Sequence, residues 1–382
     1  MKRFVVVAVL VFALSGAATA DEPADVSSND VDLHGDPLPM GVVTRMDPER
    51  QHQGYVIALA TSPDGKRTVT GSTAGEVFEW ETDTGKFLRQ LPGTENCVRC
   101  LEFTPDGTKL VIAGEARKEN RGFCGEVLVW DLTTGEKLWG RELDARVKAA
   151  AISSDGSTLA LAEGVGKWRL QNEKINQVEV LKLESGEVLK TYTDVINQAV
   201  AAAFADADQV VRVIDHRGVF YELPLATTEE PTIRDRTSGG SFVPYGTSPH
   251  GDFALACKTL TPSINPELVE LRVLRRKGTV MLIDTATGDE KWAADIGFDR
   301  VRTGAFAPDG KLVATEQISP QAAGGDVTLA IRSGETGKLL WAFPVEDYRL
   351  YALRFTPDSK RLVGGTNRGH TMVWDLSMIP VQ

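Results

Sequence analysis

A four-residue turn recurs seven times along the chain, at intervals of 42 to 59 residues. Its usual form is Ser or Thr followed by Pro, Asp and Gly, as in Thr104-Pro105-Asp106-Gly107. Proline presets the backbone angle φ, aspartate can bond the following backbone, and glycine accepts a positive φ, so the pattern predicts tight reversals between strands. The copies begin at Ser62, Thr104, Ser153, Ala205, Ser248, Ala307 and Thr356, and the fourth is the most divergent.

Short β-type runs flank each turn. In the second repeat they are Val98–Phe103 before the turn, Lys109–Ala113 after it and a third run ending at Val127–Asp131. A Thr134-Gly135 turn then reverses the chain into a fourth run. Four strands recurring seven times at this interval predict an all-β fold, a seven-bladed β-propeller of four-stranded blades.

The ends of the repeat region indicate how the ring closes. The last repeat stops after its third strand, at Trp374-Asp375-Leu376, and the sequence ends at Gln382. We expect the stretch around residues 40–46 to supply the missing strand, because pairing the first strand with the last blade removes an exposed sheet edge. The propeller is therefore assigned to residues 40–382.

The N-terminus has the composition of a secretory signal peptide. Lys2 and Arg3 precede an apolar run over Phe4–Leu14, and small residues end in Ala18-Thr19-Ala20. This pattern predicts a signal peptide over residues 1–20, cleavage after Ala20, and export to the periplasm or the extracellular space. Eleven or so apolar residues are too few to cross a hydrocarbon core of roughly 30 Å, so no membrane insertion is expected.

The segment after the signal peptide and the overall charge narrow the range of partners. Residues 21–39 are acidic and polar, which is typical of a flexible leader rather than a packed element. The whole chain has a formal net charge of −11 at pH 7. Nucleic-acid binding and the coating of anionic membranes require a basic footprint, and neither is expected here.

Several repeats resemble those of the WD-repeat family. The features that carry the resemblance are Trp130-Asp131 and Trp374-Asp375 at third-strand ends, the Pro-Asp-Gly turns and the Thr-Gly turns, over roughly residues 40–376. The resemblance implies a propeller with no obligatory catalytic role. The chain departs from the family in that no blade carries the Gly-His pair and only two blades keep the Trp-Asp dipeptide.

Two repeats also resemble quinoprotein-type blades, in which an aromatic residue follows the Thr-Gly turn. These are Thr134–Trp139 and Thr336–Trp341. Pyrroloquinoline quinone enzymes of that class resemble larger, eight-bladed propellers with an adjacent cysteine pair and a calcium site. Neither feature is found in this sequence, so no cofactor is expected. A quinoprotein-like factor in envelope assembly is one functional alternative, resting on fold analogy.

Long insertions fall between the second and third strands of four repeats. In WD-type propellers these loops share one face with the connections between blades, and that face is termed the top face. Variable loops on a rigid scaffold often carry function, which favours an interaction surface for a protein partner, although neutral drift would give the same pattern. The insertions are Glu115–Cys124, Glu163–Ile175, Lys258–Lys277 and Gln317–Gly325.

Basic residues recur at two positions near the start of the first strands. Alignment of the repeats puts them at the top of the central channel, where they would attract a small anion or an acidic peptide. The alternative is a set of solvated rim charges paired with Asp144, Asp299 and Asp347. The six residues are Arg99, Arg146, Lys148, Arg300, Arg302 and Arg349.

The four cysteines do not form a recognisable zinc-binding or redox motif. Cys97 and Cys100 form a C-x-x-C pair, but Cys100 stands where other repeats have alanine and no second pair or spaced histidine completes a zinc site. A structural bridge between Cys97 and Cys124 suits an exported protein and is the tentative prediction. Cys257 has no evident partner. No catalytic or metal-binding motif is found, and the five histidines are scattered.

These observations favour an exported, non-catalytic platform that binds a protein partner through its top face. The alternative of a different class is a propeller enzyme or anion-binding protein with its site at the basic mouth of the channel, because such sites use residues dispersed along the chain.

Overall fold

The structure is a computed structural model of the full chain. It describes residues 31–39, 41–46, 51–118, 122–164, 176–193, 196, 199–216, 218–226, 230–234, 241–247, 252–260, 277–287, 289–296, 300–318, 327–345 and 348–379. The predicted signal peptide, its cleavage site at Ala20 and the start of the leader lie outside these ranges.

The predicted seven-bladed, all-β propeller is confirmed. The strands form seven antiparallel sheets of four strands each, and the described residues contain no helix. No helix long and apolar enough to cross a membrane was found in that part of the chain. The strands are β1 Val42–Arg45, β2 Val56–Thr61, β3 Arg67–Ser72, β4 Val77–Glu81, β5 Phe87–Leu91, β6 Cys97–Phe103, β7 Lys109–Lys118, β8 Gly122–Asp131, β9 Glu136–Leu143, β10 Arg146–Ile152, β11 Thr158–Gly164, β12 Asn176–Lys182, β13 Val188–Thr193, β14 Ala199–Ala205, β15 Val210–Asp215, β16 Phe220–Pro224, β17 Thr232–Arg234, β18 Ser241–Thr247, β19 Phe253–Leu260, β20 Lys277–Asp284, β21 Glu290–Asp295, β22 Arg300–Phe306, β23 Leu312–Ile318, β24 Val327–Ser333, β25 Leu339–Val345, β26 Leu350–Phe355, β27 Arg361–Thr366 and β28 Thr371–Asp375.

Blades one to six each consist of four consecutive strands, starting with β2, and blade seven is built from both ends of the chain. Its strand order is β1-β28-β27-β26. Strand β1 pairs antiparallel with β28, with Val42 opposite Trp374 and Arg45 opposite Met372. The N-terminal strand therefore covers the outer edge that β28 would otherwise expose.

The recurring turns have the geometry that their sequence predicts. In the first copy the Ser62 hydroxyl donates a hydrogen bond of 2.5 Å to Asp64, which also accepts one from the Lys66 amide. The hydrogen bond from Ser62 lowers the pKa of Asp64, and Gly65 takes a φ of 72°. The divergent copy, residues 206–208, holds three non-glycine residues at φ values of 53°, 54° and 62°.

The apolar core lies between neighbouring blades. The inner and middle strands are buried on both faces, as in β11, where six successive residues have little or no exposed surface. One core cluster joins blades six and seven and takes in Val42 of the closing strand. Burial on both faces explains why these strands are apolar without a simple alternation.

Tryptophans on two outer strands pack against the next blade and donate hydrogen bonds to it. Trp139 of blade two donates its indole N–H to the carbonyl of Leu183 at 2.8 Å, and its ring packs on Gly186 of blade three. Trp292 of blade five does the same with blade six, donating to the Gly334 carbonyl at 2.7 Å. The Thr-Gly turn thus has a packing role, since a side chain at its glycine would collide with the indole of the previous blade.

A buried hydrogen-bond chain anchors blade one. The indole N–H of Trp80 donates to the Thr70 hydroxyl at 2.9 Å, and that hydroxyl lies 2.7 Å from Nε2 of His52. Nδ1 of His52 is 3.3 Å from the Glu76 carboxylate, and its ring stacks on Phe78 with centroids 4.2 Å apart. His52, one of the scattered histidines of the sequence, is only 4% exposed and has a structural role.

The end of the predicted leader differs from the expectation of an unpacked segment. Asp32 is 9% exposed and accepts two hydrogen bonds from the guanidinium of Arg45 on β1. Its other oxygen caps the amides of His34 and Asp36. An ion pair and a local turn therefore hold residues 31–37 against the closing strand.

Candidate functional site at the channel mouth

The first strands of six blades line the central channel, and the pairing of each is irregular near its start. The register shifts at Ile57, Arg99, Lys148, Val200 and Tyr351, where one strand has an extra residue relative to its partner. A bulge re-aims the extra side chain. Together with Arg302, which lies in the equivalent irregularity of β22, these residues line a cavity of about 750 Å³. This set of six is termed the bulge ring.

The bulge ring contains three of the six predicted basic residues: Arg99, Lys148 and Arg302. Arg146 and Arg349 are half-buried at or just before the strand starts and do not line the cavity. The backbone of Arg300 opens β22, and its side chain lies outside the described set. The cluster predicted from the alignment is therefore split between the cavity wall and the surrounding rim.

A buried glutamate supplies the counter-charge for two of these arginines. Glu115 on β7 is 3% exposed and lies 2.9 Å from the guanidinium of Arg99 and 3.6 Å from that of Arg146. Arg99 belongs to blade two and Arg146 to blade three, so the carboxylate joins adjacent blades. The counter-charge seen beside these two arginines is therefore a buried carboxylate of β7.

A second buried glutamate has the same relation to blades six and seven. Glu316 on β23 is fully buried, lies 3.3 Å from Arg302, and accepts a 2.9 Å hydrogen bond from the Leu350 amide. Burial raises the pKa of this carboxyl to about 7, against the opposing effects of the Leu350 amide, Arg302 and Arg349. Asp299 and Asp347, the predicted partners on this side, lie outside the described residues.

Lys148 differs from the arginines because no carboxylate among the described residues lies within ion-pair distance of its ammonium group. It is half-buried in the cavity wall and makes no hydrogen bond or ion pair with any residue that the structure describes. Burial lowers the pKa of its ammonium group, and the neighbouring charges of Arg99 and Arg146 lower it further, while Glu115 acts in the opposite direction. The channel therefore contains a partly desolvated cation that is repelled by its neighbours.

An ion pair between blades that are not adjacent lies farther along the cavity wall. The guanidinium of Arg354 in blade seven donates two hydrogen bonds, of 2.9 and 3.4 Å, to the carboxylate of Glu102 in blade two. Both side chains line the same cavity. The two charges neutralise each other, which leaves the positive charge concentrated at the upper, bulge-ring level.

Exposed aromatic residues surround the mouth on the top face. Tyr55, just before β2, is 46% exposed and its ring lies 5.1 Å from that of Tyr351. The Arg302 guanidinium stacks 4.5 Å over the Tyr351 ring. On the blade-two side, the Arg146 guanidinium lies 4.5 Å over Phe123, which is 40% exposed.

The insertion of blade two is an extension of strands rather than a loop. Strands β7 and β8 run on as a hairpin, paired as far as Lys118 opposite Gly122. This hairpin carries Phe123 to the top face. The other three insertions lie largely outside the described residues.

The predicted disulfide is not formed, since Cys97 is a free thiol. Cys97 is on β6 and Cys124 on β8, and β7 lies between them with Glu115 paired to Cys97 and Ala116 to Cys124. Two strand spacings separate Cα atoms by about 9–10 Å, whereas a disulfide needs less than roughly 7 Å. The Cys124 thiol instead lies 3.7 Å from the Ala116 carbonyl.

The channel contains no metal-binding arrangement among the residues that can be assessed. Over those ranges, no group of three or more His, Cys, Asp or Glu side chains is placed to hold a metal ion. The C-x-x-C cysteines are separated along one strand. Burial raises the pKa of the Cys100 thiol to about 12, which disfavours the reactive thiolate.

Comparisons with known proteins agree with this architecture. Residues 85–131 match the family model described as WD domain, G-beta repeat. Among solved structures, the WD40 repeats of RRP9 superpose with a TM-score of 0.64 at 14% identity, covering 87% of this chain and 96% of that one. The structure of U3-55K gives the same score and identity and is covered to 98%. The chain has the fold of a WD-repeat propeller.

Matches to characterised WD-repeat proteins are partial. The small ribosomal subunit protein RACK1 of Brassica napus is 34% identical over 28% of this chain, and that of Caenorhabditis elegans is 29% identical over 28%. Apoptotic protease-activating factor 1 of Homo sapiens is 28% identical over 38%. The aligned regions cover 30%, 29% and 12% of those proteins, respectively. The region that this chain shares with each of these proteins is therefore only a few repeats long.

Sequence reasoning found the bulge-ring cations but missed the buried glutamates. Their signal was present as a single Glu at the end of an otherwise apolar second strand, in Glu115 and Glu316. A charged residue in such a run needs a partner on a neighbouring element, and the nearest basic residues are those of the aligned first strands.

Proposed function

We propose that this WD-repeat propeller is an exported, non-catalytic interaction platform that binds a protein partner through its top face. The observation that carries the proposal is the combination of exposed aromatic rings and arginines around a concave mouth. Tyrosine and arginine are enriched among the residues that dominate binding energy at protein interfaces. The rings of Tyr55 and Phe123 are both exposed, Tyr55 lies beside the Tyr351 ring on which Arg302 stacks, and Phe123 lies under the Arg146 guanidinium.

The charge of the mouth indicates the kind of partner. The chain as a whole is acidic, yet the bulge ring presents three cations. Opposite potentials steer association and select against wrong partners. The proposed partner is therefore a protein whose contact segment combines acidic residues with apolar ones. One partial relative, RACK1, is named as a small ribosomal subunit protein and so as a component of a larger assembly, which supports an interaction role.

The first prediction concerns the aromatic rim. The double variant Tyr55→Ser/Phe123→Ser should weaken capture of a stoichiometric partner from an extract of the native host by about thirtyfold or more, since truncating an interface anchor costs about 2 kcal/mol. Binding is measured by titrating immobilised full-length protein. The matched control, Leu88→Ser/Leu339→Ser, removes apolar side chains of similar exposure, 45% and 47%, from outer strands. Equal loss in both variants would contradict the proposal.

The second prediction concerns export. The protein recovered from the native host should begin at Asp21 and fractionate with exported proteins, because residues 1–20 have the three-part pattern of a cleaved signal. Intact-mass measurement of the purified protein checks the N-terminus. Recovery of a chain starting at Met1 from the cytoplasm would overturn this part of the proposal and leave the interaction role to be judged on the rim variants.

A further inference from the structure

The charge of Lys148 destabilises the folded protein when no ligand is bound. A half-buried ammonium group without a counter-ion loses hydration and gains no ion pair, and here it also faces a neighbouring guanidinium, that of Arg99. A methionine of similar length would pack in the same place without the free-energy cost of removing a charge from water. A ligand that supplies the counter-charge would explain why a destabilising charge is present in the channel wall.

The carboxylates described near Lys148 do not supply this counter-charge. Glu115 is already shared by Arg99 and Arg146, so this group of three has an excess positive charge before Lys148 is counted. Glu102, a carboxylate that lines the cavity, accepts two hydrogen bonds from Arg354. Lys148 and the unshared charge of the arginine pair therefore remain available to an anion.

The cavity provides the space and the low dielectric that strengthen such binding. Its volume is about 750 Å³, and Ile57, Val200 and Cys100 contribute apolar wall near the two cations. Charge interactions between apolar walls are screened less than those on an open surface. Arg302 lies on another part of the same wall, where its stacking on Tyr351 fixes the guanidinium.

We propose that the channel mouth contains an oxyanion-binding site, in which the ammonium group of Lys148 and the guanidinium of Arg99 hold a carboxylate or a phosphate. Both oxyanions accept charge-assisted hydrogen bonds from these donors. The source is either an acidic side chain inserted into the channel or a free phosphate. This site goes beyond the proposed docking of a protein on the rim, because it does not require Tyr55 or Phe123.

The test is calorimetric titration of the full-length protein with two probes, inorganic phosphate and tetraglutamate, each against sodium chloride at matched ionic strength. The wild type should bind one equivalent of at least one probe saturably. Lys148→Met should weaken that binding by roughly tenfold to hundredfold, the range for losing a hydrogen bond to a charged group. The control Lys338→Met makes the same charge change at an exposed turn and should bind as the wild type does.

Each outcome decides between the alternatives. Phosphate binding alone identifies a phosphate site, and stronger tetraglutamate binding identifies a site for acidic side chains; both support the proposal. Saturable binding of neither probe, or equal binding by the wild type and Lys148→Met, overturns it. Partner capture that survives in Lys148→Met while oxyanion binding is lost would separate this site from the rim.

The melting temperature of Lys148→Met shows whether the substitution affects folding as well as binding. Lys148→Met should melt at the same temperature as the wild type or above it, because the substitution removes an unpaired, desolvated charge that Arg99 repels. Phosphate or tetraglutamate should raise the melting temperature of the wild type and not that of the variant. A large fall in the melting temperature of the variant would show that Lys148 is a structural residue and would also overturn the proposal.

Discussion

Replacing Trp292 with alanine is expected to lower the free energy of unfolding by about 3–5 kcal/mol. The side chain is 8% exposed, and its removal leaves a cavity between blades five and six. It also deprives the Gly334 carbonyl of the indole N–H that donates to it at 2.7 Å. Urea denaturation followed by fluorescence and circular dichroism measures the change.

A matched control separates this contact from a general effect of truncating outer strands. Leu339→Ala removes an apolar side chain that is 47% exposed on the outer strand of blade six, and it should change stability by no more than about 0.5 kcal/mol. Similar values for the two variants would contradict the role assigned to Trp292.

The glycine on the other side of the contact gives an independent check. Gly337 has a φ of 71°, and a Cβ at this position would lie 2.5 Å from the Trp292 ring. Gly337→Ala should therefore destabilise the protein through both backbone strain and collision. In the Trp292→Ala background the collision is absent, so the additional loss caused by Gly337→Ala should be smaller. A double-mutant cycle measures that coupling, and strict additivity would argue against direct packing.

The sequence predicted the ring because the information for it is local. Each Pro-Asp-Gly turn specifies its own reversal through side chains two to four residues apart, as Ser62, Asp64 and Gly65 show. The closing strand could also be predicted, because a count of strands left blade seven one short. The Trp139 contact was visible as a Thr-Gly-to-aromatic pattern, although its partner in the next blade was not, and Trp292 was not singled out.

The site was predicted only in part because its geometry depends on contacts between blades. Alignment brought Arg99, Lys148 and Arg302 to one level, and all three line the same cavity in the structure. Which of them is neutralised depends on Glu115 and Glu316, and each of these carboxylates contacts both its own blade and the next one. The disulfide prediction failed for a related reason: spacing along the chain does not show that β7 lies between Cys97 and Cys124.

The bulges connect the fold to the proposed site. A regular strand directs alternate side chains to its two faces, and both faces of the inner strands pack against neighbouring blades, so a long cation beside Val98 or Val147 would otherwise compete for space between blades. The extra residue at each bulge places Arg99 and Lys148 in the channel while the flanking valines stay fully buried. The scaffold can therefore vary the bulge-ring residue without disturbing its core, which fits the mixture of aliphatic, aromatic and basic residues found there.

The second large effect expected is a loss of stability in mild acid that depends on His52. Burial lowers the pKa of this imidazole from 6.5 to about 4, although Glu76 acts to raise it. The folded protein therefore keeps His52 neutral, with Nε2 accepting from Thr70 and the Nδ1 proton directed to Glu76. In the unfolded chain the imidazole takes up a proton at its ordinary pKa of about 6.5.

The sign and size of the effect follow from this difference. Between the two pKa values the unfolded state binds the proton and the folded state does not, so stability falls as the pH decreases from about 6.5 to about 4. Each pKa unit corresponds to about 1.4 kcal/mol, so the full contribution is about 3 kcal/mol. Above pH 6.5 both states are neutral at this residue and His52 causes no further change.

The measurement is the free energy of unfolding at half-unit pH steps from 4 to 8 for the wild type and for His52→Gln. The variant should be less stable at pH 8, because the Thr70 and Trp80 groups lose part of their hydrogen-bond chain. The difference between the two curves should then shrink as the pH falls, because only the wild type carries the histidine penalty. His34→Gln removes an exposed histidine and controls for the loss of an imidazole in the unfolded state. A wild-type-minus-His52→Gln difference that stays constant from pH 7 to pH 4 would show that the proton is taken up equally in the folded and unfolded states, and the neutral, hydrogen-bonded assignment of His52 would be wrong.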